Sequence, residues 1–253
     1  VVIMTMTAGE SVYKLEDGVK TVSMEDAMPM KRDVINKFKK LRVMRELIKS
    51  QKPDIVISFH YTMNLFVLTS LWGAGIPVIV SERSNPEVSP AQKFKRFVRR
   101  LIYPSAKGYV FQTEQARRFF SKSIQRKAAV IYNSVREDLP EIKTKIFEKT
   151  IIAAGRLSPE KGFDILIKAF ASVAGELEDY TLNIYGEGRL HDELTALIEK
   201  CGMSGRIKIV EPSDKFHELI KNSSLFVLSS RTEGIPNVLL EALSLGIPAV
   251  ATR

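Results

Sequence analysis

Short runs of β-branched and aromatic residues alternate along the chain with longer stretches whose apolar residues recur every three or four positions, the pattern of parallel α/β units. In the first half this predicts strands near Val1–Met6, Val19–Met24, Asp54–Phe59, Pro77–Val80, Gly108–Phe111 and Ala129–Tyr132, with helices between them. Over Lys31–Ser50, the residues Val34, Ile35, Phe38, Leu41, Met44, Leu47 and Ile48 are spaced to make one apolar helical face. The charged, aperiodic segment Pro140–Lys149 reads as a linker and places a boundary between domains 1–140 and 141–253. The second series predicts strands Thr150–Ala154, Tyr180–Tyr185, Arg206–Val210, Ser224–Ser229 and Ile247–Ala251, and helices Gly162–Ala174, Leu190–Lys200, Phe216–Lys221 and Asn237–Leu245. The expected fold class is α/β, two Rossmann-like doubly wound domains. Such sheets bind ligands at the carboxyl ends of their strands. The loops Gly155–Lys161, Gly186–Arg189, Glu211–Asp214 and Ser230–Asn237 are therefore the places to look for chemistry.

A hydrophobic content of 45% and a charged content of 26% are ordinary for a globular protein and name no function. The single cysteine, Cys201, excludes an internal disulfide framework and fits a reducing compartment, so a cytoplasmic protein is expected. The longest apolar runs, such as Leu65–Leu71, fall far short of the ~20 residues of a spanning helix. The start at Val1-Val2-Ile3 carries no targeting-peptide pattern. The net charge of +9 is uneven: residues 1–140 hold 24 Lys and Arg against 13 Asp and Glu, and residues 141–253 hold 14 against 16. A basic first half attracts nucleic acid, anionic lipid or phosphorylated substrates alike. No segment interleaves basic and aromatic residues on strands, so a nucleic-acid partner is not expected.

Directly after a predicted strand, Gly155-Arg156-Leu-Ser-Pro159-Glu-Lys161-Gly162 leads into a helix. Glycine allows close backbone approach, the helix N-terminus offers free N–H groups, and Arg156 and Lys161 can flank a diphosphate. A surface loop with two solvated cations explains the same residues equally well. Further on, Glu233 lies in a loop and Glu241 eight residues later, about one turn into the following helix. Each carboxylate can accept two hydroxyl hydrogen bonds, which suits a sugar or a ribose. By spacing alone, two unrelated acids explain the pair better.

Taken together, Gly155-Arg156, Lys161-Gly162, Tyr185-Gly-Glu-Gly188 and Glu233-Gly-Ile-Pro-Asn-Val-Leu-Leu-Glu241-Ala resemble the donor-binding half of family 4 retaining glycosyltransferases, of the GT-B fold. The first half is similar, through Asp54–His60, Ser81-Glu82-Arg83-Ser-Asn-Pro86, Phe111–Glu114 and Val130–Val135, to acceptor domains of bacterial polysaccharide and lipid-linked oligosaccharide glycosyltransferases. The resemblance implies two domains facing a cleft and a retaining hexosyltransferase that uses a nucleotide diphosphate sugar, UDP-sugars being the commonest donors, on a saccharide or lipid-linked saccharide. Arg156 and Lys161 would hold the donor phosphates, Glu233 the transferred sugar and Glu241 the ribose. Gly155, Gly186 and Glu187 would border the donor, and the backbone of Gly234, Ile235, Pro236, Asn237 and Val238 would lie near its sugar and phosphate. His60, at a strand's carboxyl end, would touch acceptor or donor sugar; as an isolated residue it reads more simply as a hydrogen-bonded structural group. The resemblance also implies a strand and Gly-rich loop before Val1, and more sheet with a returning helix beyond Arg253. A nucleotide-binding but inactive fragment is the alternative reading.

No Asp-x-Asp occurs, and no His, Cys and carboxylate residues share metal-ligand spacing, so neither a metal nor a cofactor is expected. A dinucleotide-binding oxidoreductase is disfavoured because His191 stands where the fingerprint beginning Gly186-Glu-Gly188 needs its third glycine. In Gln92–Ile102 the apolar Phe94, Phe97, Val98, Leu101 and Ile102 take helical spacing, and Lys93, Lys95, Arg96, Arg99 and Arg100 spread around the remaining arc. Two readings stay open. The apolar face lies on an anionic membrane, at the inner face of the plasma membrane, or it packs on the first domain's sheet while the cations face outward.

Overall fold

The computed structural model describes residues 1–9, 15–27, 34–136, 138–141, 148–213 and 215–252, with side chains at all of these except 34–37. The chain divides into two compact units, Val1–Tyr132 and Asn133–Arg253. This division precedes the boundary expected at 140 and 141. The reason is side-chain chemistry: Asn133 donates to the Ile235 carbonyl at 3.1 Å and to Asn237 Oδ1 at 2.6 Å, and Leu139 packs on a core of the second unit. Most of the expected linker, 142–147, lies outside the described residues, as do Lys31, Arg32 and Asp33, the first three residues of the segment expected to be helical.

In the first unit, β1 (Val2–Thr5) pairs with β2 (Lys20–Ser23), followed by α1 (Met24–Ala27) and α2 (Val34–Ser50). Then come β3 (Val56–Phe59), α3 (Tyr61–Ser70), β4 (Val78–Glu82), α4 (Lys93–Ile102), β5 (Gly108–Phe111), α5 (Glu114–Arg118), α6 (Lys122–Gln125) and β6 (Ala128–Val130). Every pairing is parallel, but the strands form two sheets, β1-β2 and β3-β4-β5-β6, rather than one. β1 and β3 are not hydrogen-bonded neighbours; a cavity of about 250 Å³ lies between them, lined by Val2 and Met4 on one side and Val56–Phe59 on the other. Met44 and Ile48 of α2 join the core with Val67, Leu68, Val80, Tyr103 and Phe111. Phe38 does not: it is 78% exposed, because six residues at 100° each place it about 120° around the helix from Met44.

β4 runs two residues past the expected Val80, pairing Ser81 with Val110 and Glu82 with Phe111. This extension buries Glu82, whose Oε2 accepts from the Tyr103 hydroxyl at 2.7 Å and lies 4.0 Å from Arg99. Asn64 donates to Tyr103 Oη and to the Ser81 carbonyl, tying α3 into the same group. Burial pushes the Glu82 carboxyl up from 4.5 to about 7, against the opposing pull of Tyr103 and Arg99. The folded state therefore keeps a proton that the unfolded chain releases at lower pH, and its stability falls as pH rises from about 4.5 to about 7. The slope should approach about 1.4 kcal/mol per pH unit. Urea denaturation at several pH values should show this loss in the wild type and a flatter profile in Glu82→Gln; identical slopes would remove Glu82 as the cause.

The second unit contains β7 (Glu148–Ala154), α7 (Phe163–Val173), β8 (Thr181–Tyr185), α8 (His191–Lys200), β9 (Ile207–Val210), α9 (Phe216–Asn222), β10 (Ser223–Leu228), α10 (Asn237–Ser244) and β11 (Ala249–Ala251). β7 starts two residues before the expected Thr150, since Glu148 pairs with Ser223 and Lys149 makes an ion pair of 2.5 Å with Asp179. The strands are parallel in the order β11-β10-β7-β8-β9. The first strand of the unit is thus central and flanked by its second and fourth. Connections leave β7 towards one side and β10 towards the other, so the switch point lies between their carboxyl ends, where such sheets bind ligands. Core residues pack on both faces: Leu166, Ile167, Leu194 and Ile198 on one, Ile220, Ala242 and Leu245 on the other.

Candidate functional site

The loops leaving β7 and β10 meet at this switch point. Gly162, the N-cap of α7 with φ 64°, sits so close to β10 that a Cβ there would lie 2.1 Å from the Ser229 carbonyl oxygen. Ser229 Oγ donates to the Lys161 carbonyl at 2.9 Å, and the Arg231 amide to the Glu160 carbonyl at 2.8 Å. Arg231 also spans the loop with its guanidinium, reaching the Pro159 carbonyl at 2.6 Å and Asp164 Oδ2 at 2.7 Å. Arg231 thereby holds the Asp164 carboxyl below its ordinary range. The two loops are joined by these hydrogen bonds.

From the loop after β7, the Lys161 side chain passes over Gly155, where a Cβ would stand 3.2 Å from its Cδ, and places Nζ 2.5 Å from Glu233 Oε1. The Ser230 hydroxyl donates to the same oxygen at 2.6 Å. Both bonds fall on Oε1; among the described residues Oε2 is left for a hydroxyl donor. Lys161 and Glu233, far apart in sequence, are thus brought together with side chains only 21% and 24% exposed. Gly234, Ile235, Pro236, Asn237 and Val238 carry the chain from Glu233 into the first turn of α10, whose leading N–H groups lack partners within the helix. The Asn133 side chain fixes this segment through its two bonds.

Beside this group, at the ends of β7 and β8, opens a pocket of about 570 Å³. Gly155, Arg156, Gly186 and Glu187 line one side; Tyr185, Phe216 and His217 supply ring surface. The Leu157 amide donates to the Glu187 carbonyl at 2.8 Å, and a Cβ on Gly186 would lie 2.0 Å from the Gly155 carbonyl oxygen, so the two βα loops are in direct backbone contact. Glu241 of α10 adjoins the pocket through His217, its Oε2 lying 2.9 Å from the Nε2 of that lining residue. Glu233 and Glu241 therefore take different partners. Sequence reading missed Ser230, Asn133, Arg231 and His217. Ser230 lies three residues from Glu233 and was findable; the Asn133 contacts span 102 and 104 residues and left no local signal.

In the first unit His60 follows β3 and caps α3 with φ 71°, a left-handed conformation uncommon for a residue with a side chain. Its amide donates to the Ser81 carbonyl at 3.1 Å and its carbonyl accepts from Asn64 at 2.9 Å, and these bonds hold the strained geometry. The ring is exposed, yet neighbouring protein desolvates it enough to keep its pKa below the usual imidazole value. A neutral imidazole can both donate and accept.

In the basic helix α4 the apolar stripe faces outward, against the reading that packs it on the first unit's sheet with every cation in solvent. Arg99 is buried, lying over the Phe119 and Phe120 rings and donating to the Ser89 and Pro86 carbonyls; Arg96 donates to Pro90. Phe94, Phe97 and Leu101 are 74%, 58% and 59% exposed instead of packed on the sheet. The loop carbonyls and aromatic faces compensate the buried guanidinium, which turns the apolar stripe outward.

Residues 1–134 match the glycosyl transferase 4-like domain, and residues 135–253 match glycosyl transferases group 1. The chain belongs to these glycosyltransferase families. Among its relatives is the GalNAc-alpha-(1->4)-GalNAc-alpha-(1->3)-diNAcBac-PP-undecaprenol alpha-1,4-N-acetyl-D-galactosaminyltransferase of Campylobacter jejuni, 29% identical over 95% of this chain and 67% of the relative. The chain spans 58% and 62% of two further curated relatives, uncharacterized glycosyltransferases of Methanocaldococcus jannaschii and Haemophilus influenzae. Similar solved structures include Anabaena HepE in complex with UDP and glucose, with TM-score 0.72 at 17% identity over 92% of this glycosyltransferase chain and 66% of that one. Sucrose-phosphate synthase from Thermosynechococcus elongatus gives TM-score 0.75 at 14% identity, over 99% and 70% of the respective chains. The fold is that of GT-B glycosyltransferases, as the sequence led us to expect. Among the described residues no helix is long and apolar enough to cross a membrane, and no group of three His, Cys, Asp or Glu side chains is placed to hold a metal ion.

Proposed function

We propose that this chain transfers a sugar from a nucleoside diphosphate donor, a UDP-sugar foremost, to a lipid-linked saccharide with retention at the anomeric carbon. The observation that carries the reading is the Lys161–Glu233–Ser230 group set beside Gly155 and Arg156 at the switch point. The relative from Campylobacter jejuni is named for an undecaprenol-linked substrate, and a similar structure holds UDP, which supports both substrate classes. As the bond between the anomeric carbon and the diphosphate oxygen breaks, charge builds on the leaving phosphate. Arg156 and Lys161 stabilise it, and preorganised cations in a part-buried site are effective at this. Glu233 Oε2 accepts from a hydroxyl of the transferred sugar and fixes the anomeric carbon against the incoming acceptor oxygen. His60, as a neutral imidazole, hydrogen-bonds a sugar hydroxyl. Product analysis by NMR should show the donor's anomeric configuration in the new bond, and turnover should persist in excess EDTA. Inverted product, or turnover abolished by EDTA and restored by Mn²⁺, would contradict this mechanism.

The acceptor's lipid places the site at a membrane, and α4 supplies the contact. Phe94, Phe97 and Leu101 form an exposed stripe at helical spacing, and exposed Lys93, Lys95 and Arg100 border it. Each such cation near anionic headgroups contributes about 1 kcal/mol. Sedimentation with liposomes should rise with phosphatidylglycerol content, fall with salt, and weaken in a Phe94→Ser, Phe97→Ser, Lys95→Gln variant. Indifference of the wild type to anionic liposomes at low salt would remove the membrane contact.

A further inference from the structure

The motif that resembles the family's donor site ends in Glu241, and nothing in that motif names a partner for it. In the structure its carboxylate is held: His217 Nε2 lies 2.9 Å from Oε2, with the two side chains only 17% and 14% exposed. The pair is built from separate elements. α9 and α10 pack together through Ile220 and Ala242, both fully buried in one core, and His217 stands one turn before Ile220 on α9 while Glu241 precedes Ala242 on α10. The imidazole also meets the Phe216 ring edge-on at 5.8 Å, and that ring in turn lies edge-on to Tyr185 at 5.3 Å. Phe216, Tyr185 and His217 all line the pocket at the ends of β7 and β8.

A glutamate on a helix surface samples several rotamers, and a ligand that needs one of them must order the rest. An imidazole anchored in a core and bonded to one carboxylate oxygen removes that requirement. It leaves the other oxygen in a single orientation as an acceptor, which is preorganisation of the kind that improves affinity without a new ligand contact. We infer that His217 is a positioning residue: it locks the Glu241 carboxylate so that Glu241 binds the ribose hydroxyls of the donor and discriminates ribonucleotides from deoxyribonucleotides. This rests on the reading of the pocket as the nucleotide site and of Glu241 as its ribose contact.

Calorimetric titration of UDP and 2′-deoxy-UDP into the chain and its variants tests it. The wild type should prefer UDP. His217→Phe, which fills similar space but cannot hydrogen-bond, should lose on the order of tenfold in UDP affinity while binding 2′-deoxy-UDP much as before, so that the preference collapses. His217→Gln, which keeps a donor, should recover part of the preference, and Glu241→Gln combined with His217→Phe should be no worse than Glu241→Gln alone. Circular dichroism and melting curves establish that each variant is folded. Unchanged UDP affinity in His217→Phe, or equal loss for both nucleotides, overturns the positioning role and leaves the nucleotide site standing. Failure of the wild type to bind UDP, or to prefer it over the deoxy form, overturns the underlying reading and the inference with it.

Discussion

Glu233→Gln should fold as the wild type does, bind UDP at least as tightly, and lose on the order of 10²-fold or more in kcat. The split between binding and turnover follows from the geometry. Glu233 sits in the loop after β10, outside the cores, and its Oε1 is shared by Lys161 at 2.5 Å and Ser230 at 2.6 Å. Glutamine preserves the shape and the Ser230 bond but removes the charge. Lys161 then loses its ionic partner and is freer to meet a diphosphate, so nucleotide binding does not suffer. What is lost is the carboxylate that strengthens its bond to the sugar as positive charge grows at the anomeric carbon. Steady-state kinetics alongside UDP titration checks both halves. A variant with wild-type kcat would show that Glu233 has no part in transfer, and one with weakened UDP binding would show that it acts in the ground state.

Gly186→Ala should abolish measurable UDP binding and lower the melting temperature by several degrees. The new Cβ would stand 2.0 Å from the Gly155 carbonyl oxygen and 3.1 Å from its carbon, and both are main-chain atoms that no rotamer change can move. Relief requires the loop after β7 to separate from the loop after β8, and these are the two walls that carry Arg156 and Glu187. Overpacking of this kind typically costs 1–3 kcal/mol, about 2–12 °C in a protein of 150–250 residues. Gly175→Ala is the matched control, since its Cβ would meet no atom within 4 Å. Scanning calorimetry and UDP titration of the pair check the prediction; equal behaviour of the two variants would show that the loop contact at Gly186 is not what shapes the pocket.

The strands were legible because each is a short local run with its own turn signals: β7, β8, β9 and β10 fall within two residues of where periodicity places them. The loop between β7 and α7 was legible for the same reason, since Gly155, Arg156, Lys161 and Gly162 are neighbours in the chain. What escaped depends on distance. Lys161 and Glu233 were each marked, but their pairing across 72 residues follows from the order β7-β10, which periodicity does not encode. The division of the first unit's strands into two sheets is hidden for the same reason, because edge and centre strands read alike. In α4 the pattern left two orientations open, and the burial of Arg99 against Phe119 and Phe120, with Phe94, Phe97 and Leu101 exposed, is what apolar spacing does not reveal. Two carbonyl acceptors and two rings accommodate the Arg99 guanidinium, and no count of apolar residues anticipates it.

Calorimetric titration of UDP into the wild-type chain, beside Arg156→Ala, is the measurement closest to the claim that the switch point of the second unit is a nucleotide-sugar site. Saturable one-site binding by the wild type, weakened by on the order of tenfold or more in Arg156→Ala, is the expected result. No binding by the folded wild type, or equal binding by the two proteins, would contradict it.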